Sequence, residues 1–496
     1  MKEHKFGAIL SYANLALTNI TGLLLTPFII KMLGDSEYGL YTLIGAFVGY
    51  LSVLDLGLNN TIVRFVAQYR VQNDSKAQEN FLAISLIIYT FIGLLITFFG
   101  ILFYFNVEVL FKNSLSYGEL SKAKTMLLIL IFNIAITLPG GAFTGICSGY
   151  EKFIFPRLLT IIKVVVRSIA VVLILKKDAD AIGIVVLDTI VNLLFIIVTI
   201  YYTFFKLKVS IKLHKWEFYY VKEIFQYSFW IFIFALVYQF QWRTGQVILG
   251  TTTNTITVAV FGIGVMLGIY YTTFGNVVNG LILPKAIQSV YNNASAETLT
   301  NQMIKVGRIS LYLLLYVLGA FLLTGQDFIL LWIGKLYQPA YLIAVLIMLV
   351  YVLPISQGYA HAILEAKKML RFKALSFLLF SIIGSVLGYY LSLKFGIFGM
   401  IYGLVSAIFV LQLIMNYYYQ QKLDLNVFKF IKSTILKFGI TFMIIYICCY
   451  FGFTLFDKIN WFNFILKNLI YTFIFVLVFF QMLNEEEKRL IFKNKL

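Results

Sequence analysis

Lys163 and Arg167 stand four residues apart inside a predominantly apolar run, residues 155–175, which opens with Phe155, Pro156 and Arg157. Four residues is just over one helical turn, so both cations share a face. The run is long enough to cross a bilayer. Insertion scales put the cost of one such cation at mid-depth at about 2.5–3.5 kcal/mol. Cations held there need an anionic ligand, a carboxylate or a wet cavity. Arg167 lies about 12 Å from the nearer end of the run and about 18 Å from the other at 1.5 Å per residue. Lys163 is nearer the Pro156 end, where its long stem could snorkel to the interface. Asp188 follows across a short turn, residues 176–182, and should reach the depth of Arg167, with Asn192 on its own helical face. An Arg167–Asp188 pair reads either as structural glue or as a switch that an arriving anion or a proton opens.

Other polar residues in apolar runs are candidates of the same kind. Arg243 stands among Gln239, Gln241 and Gln246, a sector that suits a cavity wall, or an interfacial anchor about 9 Å from one end of its run. Asn14, Thr18 and Thr21 recur on one face with Asn19 beside them. Such side chains bind sugar hydroxyls in a wet lumen or hydrogen-bond between helices. Asp55 and Arg64 flank the end of the second run, where gating and helix capping are both open readings. His361 and Glu365, at i and i+4, are a proton-coupling pair or a solvated helix end. Gly262, Gly264, Gly268 and Gly275 read as close packing or bending.

The elements that must position these groups are membrane helices. Of 496 residues, 61% are hydrophobic and 12% charged, with a mean hydropathy of +0.89. That composition cannot cover a soluble surface. Fourteen runs have spanning length, at 7–32, 38–58, 81–105, 125–146, 156–175, 183–205, 225–249, 258–283, 306–333, 341–364, 374–393, 398–419, 435–456 and 464–483. The net charge of +18 would suit nucleic acid, but the cations cluster between runs, as in loops facing anionic headgroups. Lys206, Lys208, Lys212, Lys215 and Lys222 share one connection, Lys367, Lys368, Arg371 and Lys373 another, and Lys488, Arg489, Lys493 and Lys495 the tail. The richer connections follow the even-numbered runs, which puts both termini in the cytoplasm. The connection at 206–224 also carries Trp216, Phe218, Tyr219 and Tyr220, a composition for the membrane interface or for a solvated linker.

Several marks recur at an offset of 216. Leu33-Gly34 falls on Leu249-Gly250, Asn60 on Asn276, Glu151-Lys152 on Lys367-Lys368, Arg157 on Lys373 and Gly183 on Gly399. Leu138-Pro139 meets Leu353-Pro354 at 215. Each half holds an even number of runs, so the repeat should be parallel. The expected organisation is an N-lobe at 1–205, a linker at 206–224, a C-lobe at 225–421 and two added helices at 422–496. The same offset places Leu379 on Lys163, Ile383 on Arg167 and Leu404 on Asp188. The cations therefore belong to one half only.

Soluble chemistry finds little support. Cys147, Cys448 and Cys449 make no CxxC, and His4, His214 and His361 are far apart. No Walker loop is present. No cofactor and no nucleic-acid partner are expected, which leaves a proton or sodium gradient as the candidate driving force. Asp178-Ala179-Asp180 is literally a DxD, but it occupies a turn expected outside, where nucleotide sugars are absent.

Leu33-Gly34-Asp35-Ser36-Glu37-Tyr38-Gly39-Leu40-Tyr41, then Asp55-Leu56-Gly57-Leu58-Asn59-Asn60 leading to Arg64, form one pattern. Leu331-Trp332-Ile333-Gly334 with Tyr337 and Ala340, Ile363-Leu364-Glu365-Ala366-Lys367-Lys368, and Phe395-Gly396-Ile397-Phe398-Gly399 complete it. With these motifs the whole chain resembles the oligosaccharide flippases, the Wzx-type polysaccharide biosynthesis proteins of the multidrug/oligosaccharidyl-lipid/polysaccharide exporter superfamily. The resemblance implies an all-α polytopic fold, two six-helix lobes around a central cavity plus two extra helices. It implies alternating access without ATP hydrolysis. The implied cargo is a polyprenyl-pyrophosphate-linked oligosaccharide moved to the outer leaflet of a bacterial plasma membrane, with membrane lipids, a polysaccharide polymerase and chain-length machinery as candidate partners. A flippase for another lipid-linked cell-wall precursor or a teichuronic-type polymer fits the same residues. An exporter of cationic drugs would want carboxylates where these cations stand. A membrane glycan polymerase would carry a large external loop, and no connection has that size.

Overall fold

A lipid interior offers the backbone no hydrogen-bond partner, so each span must satisfy its own amides, as a helix does. In a computed structural model of the chain, residues 2–482 other than Leu56, Asn113, Leu281 and Asp457 are described, and their regular elements are helical. The tail cations Lys488, Arg489, Lys493 and Lys495, and the last residue of the fourteenth expected run, lie outside the described residues.

The order is α1 (Lys2–Leu33), α2 (Asp35–Ser52), α3 (Leu58–Gln72), α4 (Ser75–Phe111), α5 (Tyr117–Gly149), α6 (Ile154–Leu175), α7 (Ala181–Tyr201), α8 (Phe218–Trp242), α9 (Thr244–Thr252) and α10 (Thr255–Gly280). There follow α11 (Leu283–Tyr291), α12 (Ala296–Ile333), α13 (Pro339–Ser356), α14 (Gly358–Ala366), α15 (Leu370–Leu423), α16 (Val427–Ile431), α17 (Lys437–Phe453) and α18 (Trp461–Met482). Polar caps start several of them. Asp74 accepts from Ala77 N, Asp180 from Gly183 N and Ser295 from Thr298 N. Ser116 and Glu119 form a capping box on α5.

Thirteen helical segments among the described residues are long and apolar enough to cross a membrane, where fourteen were expected. The eleventh and twelfth expected runs fall in one, α15, of 54 residues. Gly396 interrupts it at φ 55°, ψ −133°, a backbone conformation open to glycine and little else. The run doubles back there. A Cβ on Gly384 would meet Ala407, one on Gly403 the Gly388 backbone, and one on Gly399 the Leu391 carbonyl. Two expected runs are instead broken in the middle. Residues 225–249 divide at Arg243 into α8 and α9, and 341–364 divide at Gln357 into α13 and α14. The second run was expected to end at Leu58. The helix resumes there as α3, which places Arg64 inside a helix rather than beyond one.

By contacts the chain forms two units, residues 1–259 and 260–496. In the first, α5 packs on α2, α3, α4 and α7, α6 packs on α1 and α7, and α8 packs on α2, α3 and α4. Its core joins α3, α4 and α5 through Phe65, Phe81, Tyr89 and Phe143. The connection before α8 is anchored at Val209, buried in that core together with Tyr220 of the first turn of α8, while residues 212–216 are exposed. In the second unit, α12 packs on α13, α14, α17 and α18. A polar ladder fastens α18 to α12: Asp327–Lys467 at 2.9 Å, Thr324–Asn468 at 3.0 Å and Tyr316–Thr472 at 2.9 Å.

Backbone positions with positive φ recur between the units. Asn73, Glu151, Asp178 and Lys208 in the first correspond to Asn293, Lys368, Gly396 and Asp424 in the second, at offsets from 216 to 220. Gly34, Gly57 and Gly334 have no such counterpart among the described residues.

Candidate functional site

The short turn after α6 folds α7 back along it, and the antiparallel register brings two polar rungs into line. Arg167 meets Asp188 in a two-pronged ion pair, Nε to Oδ1 at 2.6 Å and a terminal nitrogen to Oδ2 at 2.8 Å. Both partners are between a fifth and a third exposed. One turn along, Lys163 Nζ donates to Asn192 Oδ1 at 2.6 Å. The other flank of α6, with Leu158, Ile162, Val165, Val166, Ile169 and Leu173, is exposed and apolar, as a lipid-facing surface should be. The cations therefore point at protein. Lys163 does not snorkel, because its ammonium is spent on Asn192.

Neighbouring helices extend both rungs. The Tyr41 hydroxyl on α2 stands 3.3 Å from Arg167 and 3.4 Å from Asp188. On α5, Asn133 accepts from Asn192 at 2.7 Å, and Thr137 accepts from Asn192 as well. Tyr41, Asn133 and Thr137 were not singled out from the sequence. Asn133 and Thr137 carried a usable signal, polar residues at i and i+4 in an apolar run. Tyr41 carried none, because helix adjacency is not written in spacing. Asp327 and Lys467 were also missed, although Lys467 interrupts an apolar run just as Lys163 does.

Beside the Lys163 rung lies a cavity of about 160 Å³, lined by Thr137, Gly141, Thr160, Lys163, Asn192 and Thr199 among others. At about 30 Å³ per water it has room for about five waters. It can take the charged end of a headgroup but not a sugar chain. The two cations differ in their partners. Arg167 is matched by a full carboxylate charge, whereas the hydrogen bond of Lys163 goes to a neutral amide. A bidentate Arg–carboxylate pair is strong and geometrically selective. Lys163 is a point charge facing open volume, which is what an incoming anion can use.

The other expected residues stand apart from this ladder. Asn14 is half-buried, with a side-chain oxygen that is shut from solvent and has no partner, while Thr18 is exposed and Asn19 half-buried. Arg243 sits at the break between α8 and α9, close to Gly49 of α2. The side-chain oxygens of Gln239 and Gln246 beside it are buried without a hydrogen-bond partner among the described residues. Asp55 lies in the turn between α2 and α3, half-buried. Arg64 is on the exposed side of α3 with its guanidinium 5.4 Å from the Phe65 ring centre. Neither caps α3, whose N-cap is Gly57. His361 is half-buried and Glu365 exposed on α14, and no bond joins them among the described residues. The DxD is explained locally: Asp178 takes a positive φ in the turn, and Asp180 caps α7 and pairs with Lys122 at 3.2 Å.

The described residues thus form an all-helical, multi-pass chain with a cationic rung between α6 and α7. The chain belongs to the polysaccharide biosynthesis protein family, whose pattern it matches over residues 7–284. Its fold is that of the multidrug/oligosaccharidyl-lipid/polysaccharide exporter superfamily. Among solved structures, the lipid II flippase MurJ in an inward closed conformation is similar at a TM-score of 0.72 and 17% identity, covering 96% of this chain and 99% of that one. A multidrug resistance MATE family transporter in an inward-facing conformation is similar at 0.66 and 14% identity, covering 81% and 92%. A superfamily transporter from Pyrococcus furiosus, described by the reverse polarity of its binding pocket, reaches 0.52 at 13% identity, covering 82% and 91%. No curated protein sequence matches the chain.

Proposed function

We propose that the protein moves a polyprenyl-pyrophosphate-linked oligosaccharide from the cytoplasmic to the outer leaflet, for surface polysaccharide assembly. The observation that carries this reading is the ladder between α6 and α7, two cations at membrane depth in a chain of a polysaccharide biosynthesis family. A pyrophosphate leaving water needs such charges, because an unpaired anion in hydrocarbon is prohibitive. Lys163 receives it first, since its present partner is neutral and it borders open volume. Arg167 follows when the anion displaces Asp188, and protonation of Asp188 makes that exchange easier. Arg243 with its neighbouring glutamines, and Asn14, Thr18 and Asn19 on α1, are the contacts we assign to the sugars. We assign no gating role to Asp55, Arg64, His361 or Glu365.

We read the fold as fourteen spans in two six-helix lobes, 1–205 and 225–421, joined by 206–224 and followed by two added helices within 422–496. The reversal at Gly396 and the recurrence of positive-φ positions support it. Both termini lie on the cytoplasmic side of the plasma membrane on this reading.

Two experiments test the proposal. Deleting the gene in a strain with no paralogue should stop surface polysaccharide and accumulate the lipid-linked unit inside. Continued export overturns the reading. In reconstituted vesicles, the Lys163→Ala, Arg167→Ala double variant should lose flipping of a fluorescent lipid-linked oligosaccharide while staying in the membrane. Normal transport would reassign both cations to structure. A second reading, a flippase for a lipid-linked cell-wall precursor, is favoured by the breadth of the likeness to the lipid II flippase, 96% of this chain against 81% for the multidrug transporter. Offering lipid II in the same vesicles separates the two cargoes.

A further inference from the structure

The segment between α7 and α8 is a docked strap. Asn80 Oδ1, near the start of α4, accepts from the backbone N–H of His214 at 2.9 Å and of Lys215 at 3.0 Å. His214 Nε2 lies 2.8 Å from the Glu79 carboxylate, and Val209 is buried beneath the strap in the core of the first unit. Held this way, the strap lays Trp216 against the flank of α4. There Trp216, with Val221 and Phe225 of α8 and Leu54, walls a groove of about 440 Å³ whose other side is α4 from Ile87 to Phe99. Every described residue lining it is apolar, so it sheds water. Phe91 is 59% exposed and Phe99 49%, so the groove opens sideways off the helix rather than into the core. A helix facing lipid is ordinarily convex; here the strap and α8 make it concave.

Length and charge say what fills it. Ile87 to Phe99 is about 18 Å along a helix at 1.5 Å per residue, close to the depth of one leaflet, which is about 15 Å. The strap end of the groove carries Lys212 and Lys215 near Trp216 and Lys222 next to Val221, against Glu217 and Glu223, with Glu79 engaged by His214. Lys212, Lys215 and Lys222 are exposed. A basic collar above a one-leaflet apolar slot matches a lipid with a negative headgroup, and an amphipathic tryptophan belongs at that boundary. A polyprenyl chain, methyl-branched and several times longer than an acyl chain, does not fit a slot of this size.

We propose that this groove holds an acyl chain of an anionic phospholipid, its phosphate on the strap lysines. The site is separate from the ladder between α6 and α7 and does not depend on the identity of the cargo.

Trp216 is the probe. Wild-type protein and Trp216→Phe are reconstituted with phospholipids brominated on the acyl chain, and the difference in quenching isolates Trp216 from the other tryptophans. Brominated phosphatidylglycerol should quench that component at a mole fraction about threefold or more below that of brominated phosphatidylcholine. The preference should vanish in the Lys212→Gln, Lys215→Gln, Lys222→Gln variant. Equal quenching by the two lipids overturns the proposal. Displacement of brominated phosphatidylglycerol by polyprenyl phosphate at lower mole fractions also overturns it, and gives the groove to a prenyl chain. If Trp216→Phe does not reach the membrane, native mass spectrometry of the wild type in mixed lipid reads the same preference. Retained phosphatidylglycerol that is lost in the triple lysine variant supports the site; retention of both lipids alike overturns it.

Discussion

The α6–α7 pair and the two arms of α15 are the same local object, two helices folded back on one another, held by opposite chemistries. In α6–α7 the rungs are Lys163–Asn192 and Arg167–Asp188. In α15 they are small residues, Gly384 against Ala407 and Gly388 against Gly403, close enough that backbones touch. The positions matching Lys163 and Arg167 at an offset of 216 are Leu379, 56% exposed, and Ile383, 42% exposed, while Leu404, matching Asp188, is buried. Small-residue packing is the ordinary adhesive of membrane helices. A hairpin of this kind therefore does not need charge to form. The charges in α6–α7 cost insertion energy that α15 avoids, which is the physical case for tying them to transport.

The comparison breaks most visibly if Asp188 is removed. Asp188→Ala strands Arg167 at membrane depth and should cost about 3–5 kcal/mol, as for other disrupted internal pairs. Thermal unfolding in detergent would report it. Giving the first hairpin the second one's residues, Arg167→Ile with Asp188→Leu, should restore most of that stability and abolish flipping. A double variant that still transports would make the pair a brace only.

The reciprocal change is in α15. Gly403→Val puts a branched side chain into the Gly388 backbone and should cost about 1–3 kcal/mol by overpacking. Gly183, at the opening of α7, has only the Ala179 side chain and an Asp180 oxygen near its Cβ position. Gly183→Ala puts its Cβ 3.0 Å from the Ala179 methyl, a contact that a shift of a few tenths of an ångström relieves, so it should cost less than Gly403→Val. Equal losses at both sites would show that the two hairpins are held alike after all.

A finer cut concerns the two cations. Lys163→Gln keeps a side chain able to bond Asn192 and removes the charge. Flipping should fall about tenfold, about 1.4 kcal/mol on the barrier, with no change in unfolding temperature. Lys163→Arg should retain most of the rate. If Lys163→Gln is as stable and as fast as the wild type, Arg167 alone carries the anion.

How far this site could be read from sequence follows from the same contrast. The Arg167–Asp188 rung was legible because a short turn fixes the antiparallel register, and i,i+4 spacing then places Asn192 level with Lys163. The reversal at Gly396 was legible as a gap between two apolar runs, although the helix on each side is otherwise continuous. The breaks at Arg243 and Gln357 were not legible. Gln239–Arg243 carries no proline and reads as unbroken helix, and Pro354, three residues before Gln357, reads as a mark of the repeat rather than as a break. Tyr41 and Asn133 were hidden for a different reason, since periodicity states which face is polar and not which helix that face meets. The docked strap also escaped, because its anchor is one asparagine, Asn80, bonded to backbone groups more than 130 residues away.

The smallest effect separates the turns of the two hairpins. Gly396 turns α15 by backbone freedom, and no titration should touch it. The turn from α6 into α7 also has a positive φ, at Asp178, but adds charge: Asp180 accepts from Gly183 N at 3.1 Å and meets Lys122 at 3.2 Å. Partial burial works to raise its pKa, but the Gly183 N–H and then Lys122 outweigh it and hold the carboxyl below its ordinary value. A folded-state pKa below the unfolded one stabilises the protein above the unfolded value and is lost as pH falls through the folded one. The loss should therefore begin at about pH 4 and deepen below it. Asp180→Asn keeps an acceptor for Gly183 and loses the charge, so its unfolding temperature should fall less steeply across that window than that of the wild type. Parallel curves would mean that the first turn, like the one at Gly396, is held by backbone geometry alone.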